Sequence, residues 1–330
     1  MKVAFFSARP YEVSHFEALN RDSSHDFTFI ETHLTPQTIQ LAAGHDALCV
    51  FVCDVLDRKV LSKFAAMGGK LVALRSAGYN HVDLKSAELL NLTVVRVPEY
   101  SPHAVAEHAA ALILALNRKI YRAYNRVREG NFSLDGLTGF DLNGKTVGLV
   151  GAGKIGQILC KIMHGFGCHI VAYDPFPKKE LQALYGVTYV TLPELYRQSD
   201  IISLHVPLTK DTYHLINEQT LQQMKRGVMI INTGRGALID AKALAEALKS
   251  EHVGFAGLDV YEEEEVFFDD HSSDILQDDV LARLMTFPNV LITAHQAFLT
   301  LEALHNIARV TLQNLDDYAT TRNLPNRIKG

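Results

Sequence analysis

The chain contains 330 residues, of which 48% are hydrophobic and 21% are charged, and its formal net charge is −5. This composition excludes a disordered protein, a collagen and a coiled coil. At roughly 100–200 residues per domain, the length predicts two domains. The acidic balance offers no basic surface for nucleic acid or for an anionic membrane, so we expect no nucleic-acid partner and no membrane partner.

The lack of a recognisable targeting signal and the use of the cysteines predict a cytoplasmic protein. The N-terminal apolar run is far shorter than a signal-peptide core, and the longest apolar run, over 109–116, is too short to span a bilayer. Cys49 and Cys53 flank an apolar stretch that is typical of a buried strand. Because no further metal ligands stand near them in the sequence, we interpret the cysteines as structural thiols and expect no bound metal.

Short apolar strands alternate with helical segments along the chain, as is typical of α/β proteins with parallel sheets. The strands predicted in the first hundred residues are 3–6, 47–52, 71–74 and 94–97. An apolar periodicity then predicts one long helix from Pro102 to about Val127. Ser101 is a suitable N-cap for this helix, and Gly130 is a suitable C-terminal stop.

From residue 146 onward the alternation is more regular. The predicted strands are 146–150, 170–173, 201–204, 228–231, 257–260 and 290–292. Six strands with helices between them are what a doubly wound dinucleotide-binding sheet requires. A last helix, over 301–318, is expected to return to the first domain. The predicted domains are therefore 1–100 with 299–330, and 101–298, with a cleft between them.

A glycine-rich turn is the most specific local signal. Gly151, Gly153 and Gly156 follow an apolar strand and precede an amphipathic helix. In this context Gly151 permits a tight turn, Gly153 lets the backbone approach a pyrophosphate, and Gly156 lets helix and strand pack closely. The helix N-terminus then offers N–H groups and a positive dipole end to the phosphates. This turn predicts a dinucleotide site.

Asp174 ends the strand that follows the glycine turn. A carboxylate there accepts hydrogen bonds from the adenosine ribose and repels a 2′-phosphate, so we expect NAD rather than NADP. Lys178 and Lys179 lie nearby and weaken this preference.

Three polar residues each stand just beyond a predicted strand of the second domain: Arg235, Glu264 and His295. Ligands of open α/β sheets bind outside the carboxyl ends of the strands. Arginine forms a planar fork for a carboxylate, and histidine is the usual proton donor near neutral pH. A carboxylate bonded to the imidazole favours its charged form. These residue types suit the reduction of a 2-keto acid.

Each of these three residues also has a plainer interpretation. Arg235 could be a surface cation, although a glycine on each side indicates a close backbone approach. Glu264 could be one of four solvated glutamates in the run that begins at Glu262. His295 could be a hydrogen-bonded core histidine. Their order and their places at strand ends favour the functional interpretation.

The chain resembles the D-isomer-specific 2-hydroxyacid dehydrogenases over nearly its whole length, and within them the fermentative D-lactate dehydrogenases of bacteria. The resemblance rests on four motifs in the family's order, at Gly151–Gly156, Asn232–Gly236, Asp259–Glu264 and His295. It implies a Rossmann NAD-binding domain inserted into a flavodoxin-like substrate domain. It also implies reversible, NAD-dependent reduction of pyruvate to D-lactate by a homodimer or homotetramer.

The same resemblance implies roles for single residues. Arg235 would bind the substrate carboxylate, Glu264 would orient the imidazole, and His295 would be the acid and base. Substrate contacts would come from the backbone N–H groups of Ala77 and Gly78, the hydroxyl of Tyr100 and the ring of Phe298. The remaining cofactor contacts would come from Val105, Lys154, Ile155, His205, Val206, Pro207, Thr212, Thr233, Gly234, Arg235, Asp259 and His295.

Two alternatives stay open. The first is a dehydrogenase for a bulkier 2-keto acid, since only Tyr100, Phe298 and overall similarity favour pyruvate. The second is an NAD-sensing binding protein similar to the transcriptional corepressors that share this fold, because that scaffold shares the catalytic residues. The sequence also leaves open whether Arg9 reaches the substrate.

Overall fold

The computed structural model describes residues 1–21, 25–262, 278–321 and 323–329. The chain divides into two compact units, Met1–Ser101 with Leu299–Gly330, and Pro102–Phe298. Among the described residues, no helix combines the length and the apolar character that a membrane crossing requires.

The first unit is built on a six-stranded sheet in the order β13-β5-β4-β3-β1-β2. Its strands are β1 (Lys2–Phe5), β2 (Asp26–Phe29), β3 (Ala47–Val50), β4 (Leu71–Leu74), β5 (Thr93–Val95) and β13 (Arg327–Ile328). The first five strands run parallel, and β13 joins β5 antiparallel at the edge. The order of the parallel strands is that of flavodoxin-like sheets.

The second unit is built on a seven-stranded parallel sheet in the order β12-β11-β10-β9-β6-β7-β8. Its strands are β6 (Thr146–Val150), β7 (His169–Tyr173), β8 (Thr188–Tyr189), β9 (Ile201–Leu204), β10 (Val228–Asn232), β11 (Val253–Leu258) and β12 (Val290–Ile292). The sheet contains the strand order of a Rossmann fold. The two sheets confirm the predicted α/β class.

Helices cover the sheets of both units. Those of the first unit are α1 (Pro10–Leu19), α2 (Arg58–Ala66), α3 (Leu84–Leu89) and α12 (Leu301–Ala319). Those of the second are α4 (Pro102–Arg118), α5 (Ile120–Arg128), α6 (Lys154–Gly165), α7 (Lys179–Tyr185), α8 (Leu192–Gln198), α9 (Glu218–Leu221), α10 (Ala241–Lys249) and α11 (Asp279–Thr286). Short 3-10 helices lie at Ile39–Ala42 and Gly236–Leu238.

Side chains of the central strands alternate between two buried clusters, because successive residues of a strand point to opposite faces. In β10, Met229 and Ile231 pack on one face of the second sheet, with α4 and α6. Val228 and Ile230 pack on the opposite face, with α10. Since both faces are apolar, the polar groups of this unit collect at the strand ends.

The predicted long helix is wrong in one respect: it is broken at Lys119, where the backbone is left-handed with φ of 50°. The Lys119 ammonium donates to the carbonyls of Gly136 and Thr138, both at 2.9 Å. The side-chain amide of Asn117 donates to the carbonyl of Phe140 at 2.7 Å. These bonds dock the loop 136–140 at the end of α4, which the periodicity alone could not reveal.

Candidate functional site

The glycine turn has the geometry that its spacing predicts. Gly151 has a φ of 98°, in the left-handed region that favours glycine. A Cβ at Gly156 would overlap the carbonyl oxygen of Gly151, so α6 lies directly against the turn. A Cβ at Gly153 would meet nothing within 4 Å, so the backbone borders open space there. Gly153 precedes α6 and provides no side-chain cap for its first N–H groups.

Asp174 is tied to this turn. Its Oδ2 accepts a hydrogen bond from the Ala152 N–H at 2.7 Å, and its Oδ1 accepts one from the Phe176 N–H at 2.8 Å. Each carboxylate oxygen accepts about two hydrogen bonds, so capacity is left for the hydroxyls of a ribose. The carboxylate is therefore held by the backbone at the end of β7.

A line of backbone hydrogen bonds joins the ends of the neighbouring strands β10, β11 and β12. The carbonyl of Asn232 accepts from the Asp259 N–H at 2.9 Å. The carbonyl of Asp259 in turn accepts from the His295 N–H at 2.7 Å. This line holds His295 on the same edge of the sheet as Arg235, which follows β10 by three positions.

The Asp259 side chain shapes the segment that carries His295. It is fully buried, and its Oδ1 accepts from the hydroxyl of Thr293 at 2.6 Å and from the Gln296 N–H at 2.9 Å. Its Oδ2 accepts from the Ala297 N–H at 2.8 Å. His295 itself is left-handed, with φ of 48°. Asp259, predicted as a cofactor ligand, is thus first of all the anchor of this loop.

His108 of α4 belongs to the same network, although nothing but its place in the predicted helix pointed to it. Its Nε2 lies 3.1 Å from the hydroxyl of Thr293 and 3.4 Å from Oδ1 of Asp259. A contact between residues so far apart in the chain depends on how α4 packs beside β11 and β12.

Arg235 is held by hydrogen bonds of the backbone around it. Its carbonyl accepts from the side-chain amide of Asn232, and its Nη1 donates to the carbonyl of Gly234, both at 2.8 Å. Within the described residues its guanidinium forms no ion pair. A Cβ at Gly236 would overlap the backbone of Tyr261, so this glycine is required by a close approach.

Gly234, the other glycine beside Arg235, is less strictly required than Gly236. A Cβ at Gly234 would make only ordinary contacts, the nearest at 3.4 Å from Leu238 Cδ1. Its N–H donates to Oδ1 of Asn232 at 3.0 Å. A side chain could therefore be accommodated at this position.

Two further predicted cofactor residues have unusual polar groups. The hydroxyl of Thr233 is buried and has no hydrogen-bond partner among the described residues. His205 Nε2 lies 2.9 Å from the Ser203 hydroxyl, and burial lowers the pKa of His205 to about 4. The imidazole of His205 is therefore neutral at physiological pH.

The other predicted cofactor residues lie in the second unit, at α4, α6 and the segment after β9. Val105 is buried in α4, whereas Lys154 and Ile155 are the first residues of α6. The Thr212 hydroxyl donates to the Pro207 carbonyl at 2.7 Å and closes the turn that follows Val206. Thr212 thus has a local structural role.

In the first unit, the loop after β4 presents two unused backbone donors. The guanidinium of Arg96 donates to the carbonyl of Ala77, and the hydroxyl of Ser76 donates to the carbonyl of Gly78, both at 2.7 Å. Within the described part of the chain, the N–H groups of Ala77 and Gly78 donate to no protein acceptor. Successive N–H groups with fixed carbonyls are a typical anion-binding arrangement.

Arg75 is the first residue of this loop, and its side chain fixes the start of the loop. Sequence reasoning did not single it out. It is fully buried, and its Nε lies 3.1 Å from Oε1 of Glu12. It also donates to the backbone carbonyls of Cys49 and Ser7, at 3.1 and 3.4 Å. One guanidinium therefore links the ends of β1, β3 and β4. An arginine directly after an apolar strand was the only available signal.

The three remaining predicted site residues are Tyr100, Phe298 and Glu264. Tyr100 lies in the first unit, where its carbonyl accepts from the Asn306 side chain at 2.8 Å. Phe298 is buried at the end of the second unit. Glu264 lies outside the described residues. The structure thus brings Arg235 and His295 to one sheet edge and leaves the predicted place of Glu264 untested.

Comparisons with known proteins identify the family. Residues 110–297 match the family described as D-isomer specific 2-hydroxyacid dehydrogenase, NAD binding domain. The D-lactate dehydrogenase of Escherichia coli strain K12 is 50% identical over 329 residues, which cover 99% of this chain and 100% of that protein. The chain therefore belongs to the D-isomer specific 2-hydroxyacid dehydrogenases, which confirms the predicted family and its NAD-dependent oxidoreductase chemistry.

Solved structures agree with this assignment. The apo-structure of Escherichia coli D-lactate dehydrogenase matches with a TM-score of 0.91 and 48% identity, covering 99% of this chain and 100% of that one. The pyruvate reductase of Chlamydomonas reinhardtii matches with a TM-score of 0.92 and 46% identity, covering 99% and 98%. The open space at Gly153 and the Thr233 hydroxyl, which no described residue bonds to, fit the NAD that this family binds.

Proposed function

We propose that this chain is an NAD-dependent D-lactate dehydrogenase that reduces pyruvate to D-lactate and catalyses the reverse reaction. The observation that carries the proposal is the hydrogen-bonded line from Asn232 through Asp259 to His295, which puts an imidazole on the sheet edge that carries the Arg235 guanidinium. A 2-keto acid has a carboxylate that needs a cation and a carbonyl that needs a proton donor. The likeness to Escherichia coli D-lactate dehydrogenase supports pyruvate as that acid.

Arg235 and His295 have separate tasks in this proposal. Arg235 binds the substrate carboxylate through two parallel N–H bonds, because its charge is not already paired with an acid of the described residues. The His295 imidazole holds a proton and donates it to the carbonyl oxygen of the keto acid. Bound NADH supplies the hydride for the keto carbon. In the reverse direction His295 takes the proton from the hydroxyl of D-lactate.

Glu264 is the proposed partner of the imidazole, on the strength of the family resemblance alone. A carboxylate partner favours the protonated imidazole, which is the form needed for reduction. Glu264→Gln should therefore shift the pH profile of pyruvate reduction to lower pH. A profile identical to that of the unaltered enzyme would show that Glu264 is only one more surface acid.

The predicted substrate residues of the first unit are proposed as a second anchor for the carboxylate. The N–H groups of Ala77 and Gly78 support this, because they donate to no acceptor of the described residues and a carboxylate accepts hydrogen bonds from paired amides. The hydroxyl of Tyr100 would add a further donor, and the ring of Phe298 would favour a small substrate side chain.

NAD recognition is assigned to the glycine turn and to Asp174. The N–H groups at the start of α6 would bind the pyrophosphate beside Gly153. The backbone-held carboxylate of Asp174 would accept from the ribose hydroxyls and disfavour a 2′-phosphate. The cytoplasmic location and the homo-oligomeric state stay predictions.

A panel of 2-keto acids tests the proposal directly. NADH oxidation should be fastest with pyruvate, as kcat/KM, and the product should be D-lactate by chiral analysis. A higher kcat/KM for phenylpyruvate or 2-ketoisocaproate would assign the chain to a bulkier substrate. NADH binding without turnover of any keto acid would favour the NAD-sensing alternative instead.

A further inference from the structure

Three potential metal ligands meet in the first unit, and none of them has been assigned a role above. They are His33, which follows β2, and Cys53 and Asp54, which follow β3. One ligand atom from each residue lies within 4.8 Å of the others. Because β3, β1 and β2 are neighbours in a parallel sheet, the segments after them converge at one edge.

The expectation of no bound metal is revised here, because it overlooked Asp54, which directly follows Cys53 in the sequence. His33 is twenty positions from Cys53, so the sequence pattern could not connect them. All four cysteines are free thiols, and of the two that were considered, Cys49 is buried in β3 whereas Cys53 is half-buried after it. Of these two, Cys53 is the one whose thiol lies beside other potential metal ligands of the described residues.

The distance between sulfur and nitrogen suits tetrahedral coordination. Zinc binds cysteine sulfur at about 2.3 Å and histidine nitrogen at about 2.0–2.1 Å, so two such ligands lie about 3.5 Å apart at the tetrahedral angle. The observed distance from Cys53 Sγ to His33 Nδ1 is 3.4 Å. Both side chains are half-buried, so water can reach the position of a fourth ligand.

The third ligand, Asp54, supplies a fixed negative charge. Its side chain is 1% exposed. Its Oδ1 accepts from the Leu34 N–H and from the hydroxyl of Ser7, and its Oδ2 accepts from the Phe51 N–H, each at 2.7 Å. Oδ2 therefore keeps one acceptor position. A carboxylate held in this way needs little reorganisation to bind a cation.

We propose that His33, Cys53 and Asp54 form a binding site for a soft divalent cation of the zinc class. The thiolate and imidazole select zinc-like ions over calcium or magnesium, which prefer sets of oxygen ligands. The cation replaces the hydrogen bond between Ser7 Oγ and His33 Nδ1, now 2.7 Å long.

Reaction of the free thiol with oxidants is a weaker alternative for this cluster. Burial and the neighbouring Asp54 raise the pKa of Cys53 to about 12. The metal-free thiol is therefore protonated, and a protonated thiol is a poor nucleophile. A bound cation must displace this proton, as it does at other cysteine ligands.

Cobalt is a suitable probe because it substitutes for zinc and absorbs light. Titration of the full chain with Co²⁺ should give a thiolate-to-cobalt charge-transfer band that saturates at one equivalent and disappears when Zn²⁺ is added. Surface histidines that bind cobalt give no such band. Because the readout is spectroscopic, it does not depend on lactate dehydrogenase activity.

Variants decide which sulfur is bound. Cys53→Ser should abolish the band, whereas Cys168→Ser should retain it. Cys168 is the matched control because its thiol donates to the Leu142 carbonyl at 3.2 Å, a bond that a serine hydroxyl can also make. His33→Asn should weaken cobalt binding by about tenfold or more, and it serves as a second test if Cys53→Ser does not fold.

Three results would overturn the site. They are no charge-transfer band with the unaltered chain, a band that persists in Cys53→Ser, and a cobalt affinity that His33→Asn leaves unchanged. Thermal unfolding of each metal-free variant establishes that the protein under test is folded.

Discussion

The carboxyl edges of the two sheets use their polar groups in opposite ways. In the first unit, the buried groups bond mainly to one another: Arg75 pairs with Glu12, and Ser7 donates to Asp54. In the second unit, the Arg235 guanidinium has no ion pair and the Thr233 hydroxyl has no hydrogen-bond partner among the described residues. We call the first the closed edge because its buried side chains are paired within the protein, although the backbone N–H groups of Ala77 and Gly78 there donate to no acceptor among the described residues. The second is the open edge, because it leaves polar side chains for ligands.

This difference has an energetic meaning. A buried polar group without a partner costs about 1–3 kcal/mol of stability. Paired side chains such as Arg75 therefore hold loops in place. An unpaired hydroxyl such as that of Thr233 lowers stability until a ligand bonds to it. Substitutions should act on folding at the closed edge and on binding or turnover at the open edge.

The largest effect is expected at the open edge, from His295→Ala. Loss of the proton donor should lower kcat for pyruvate reduction by about 10³-fold, within the usual range for general acid catalysis. NADH affinity, measured by fluorescence titration, should change little. His305→Ala is the matched control, since His305 is an exposed histidine of α12. Equal kcat values for the two variants would remove His295 from the mechanism.

The next effect belongs to the closed edge. Arg75→Met should lower the free energy of unfolding by about 3 kcal/mol, because it leaves the buried Glu12 carboxylate without its cation. Urea unfolding measures the change. Adding Glu12→Leu to Arg75→Met should restore most of the loss, because the pair is then replaced by apolar side chains. A double variant no more stable than Arg75→Met would contradict this account of the closed edge.

Arg235→Lys tests whether the Arg235 guanidinium binds the substrate carboxylate. An ammonium cannot form the two parallel bonds of a guanidinium, so kcat/KM for pyruvate should fall about 10²-fold, or about 2.7 kcal/mol, chiefly through KM. Stability to urea should be unchanged. Arg226→Lys is the control, because Arg226 is an exposed arginine that donates to the Ser250 carbonyl. A normal KM for pyruvate in Arg235→Lys would exclude the carboxylate-binding role.

Patterns local in sequence predicted the second unit well. The glycine turn, Asp174 and the strand-end positions of Arg235 and His295 each depend on residues a few positions apart, and their spacing reflects one turn or one strand end. The edge strands β2, β8 and β13 were not predicted. Each is only two to four residues long, and so short a strand leaves little periodicity to detect.

Networks between distant residues could not be predicted. The bond from Asp259 to the His295 segment, the position of His108 and the pairing of His33 with Cys53 depend on which strands are neighbours in space. The strand-end rule indicates which edge of a sheet binds ligands. It does not indicate which side chains at that edge are already satisfied by protein partners.

The smallest effect is expected from Thr233→Val, and it gives the sharpest comparison because protein stability should rise while NADH affinity falls. Thr233→Val removes a buried hydroxyl that has no partner in the described ranges of the chain, so the ligand-free protein should become more stable to urea by up to about 1 kcal/mol. If that hydroxyl bonds to NAD, the affinity for NADH should fall about fivefold, which corresponds to the same energy.

Thr311→Val supplies the matched control for Thr233→Val. Thr311 lies in α12 of the first unit and also has a buried hydroxyl without a partner among the described residues. Its replacement should raise stability in the same way but leave NADH affinity unchanged. Equal NADH affinities in both variants would show that the Thr233 hydroxyl is an unpaired group like that of Thr311, and the open edge would then consist of Arg235 alone.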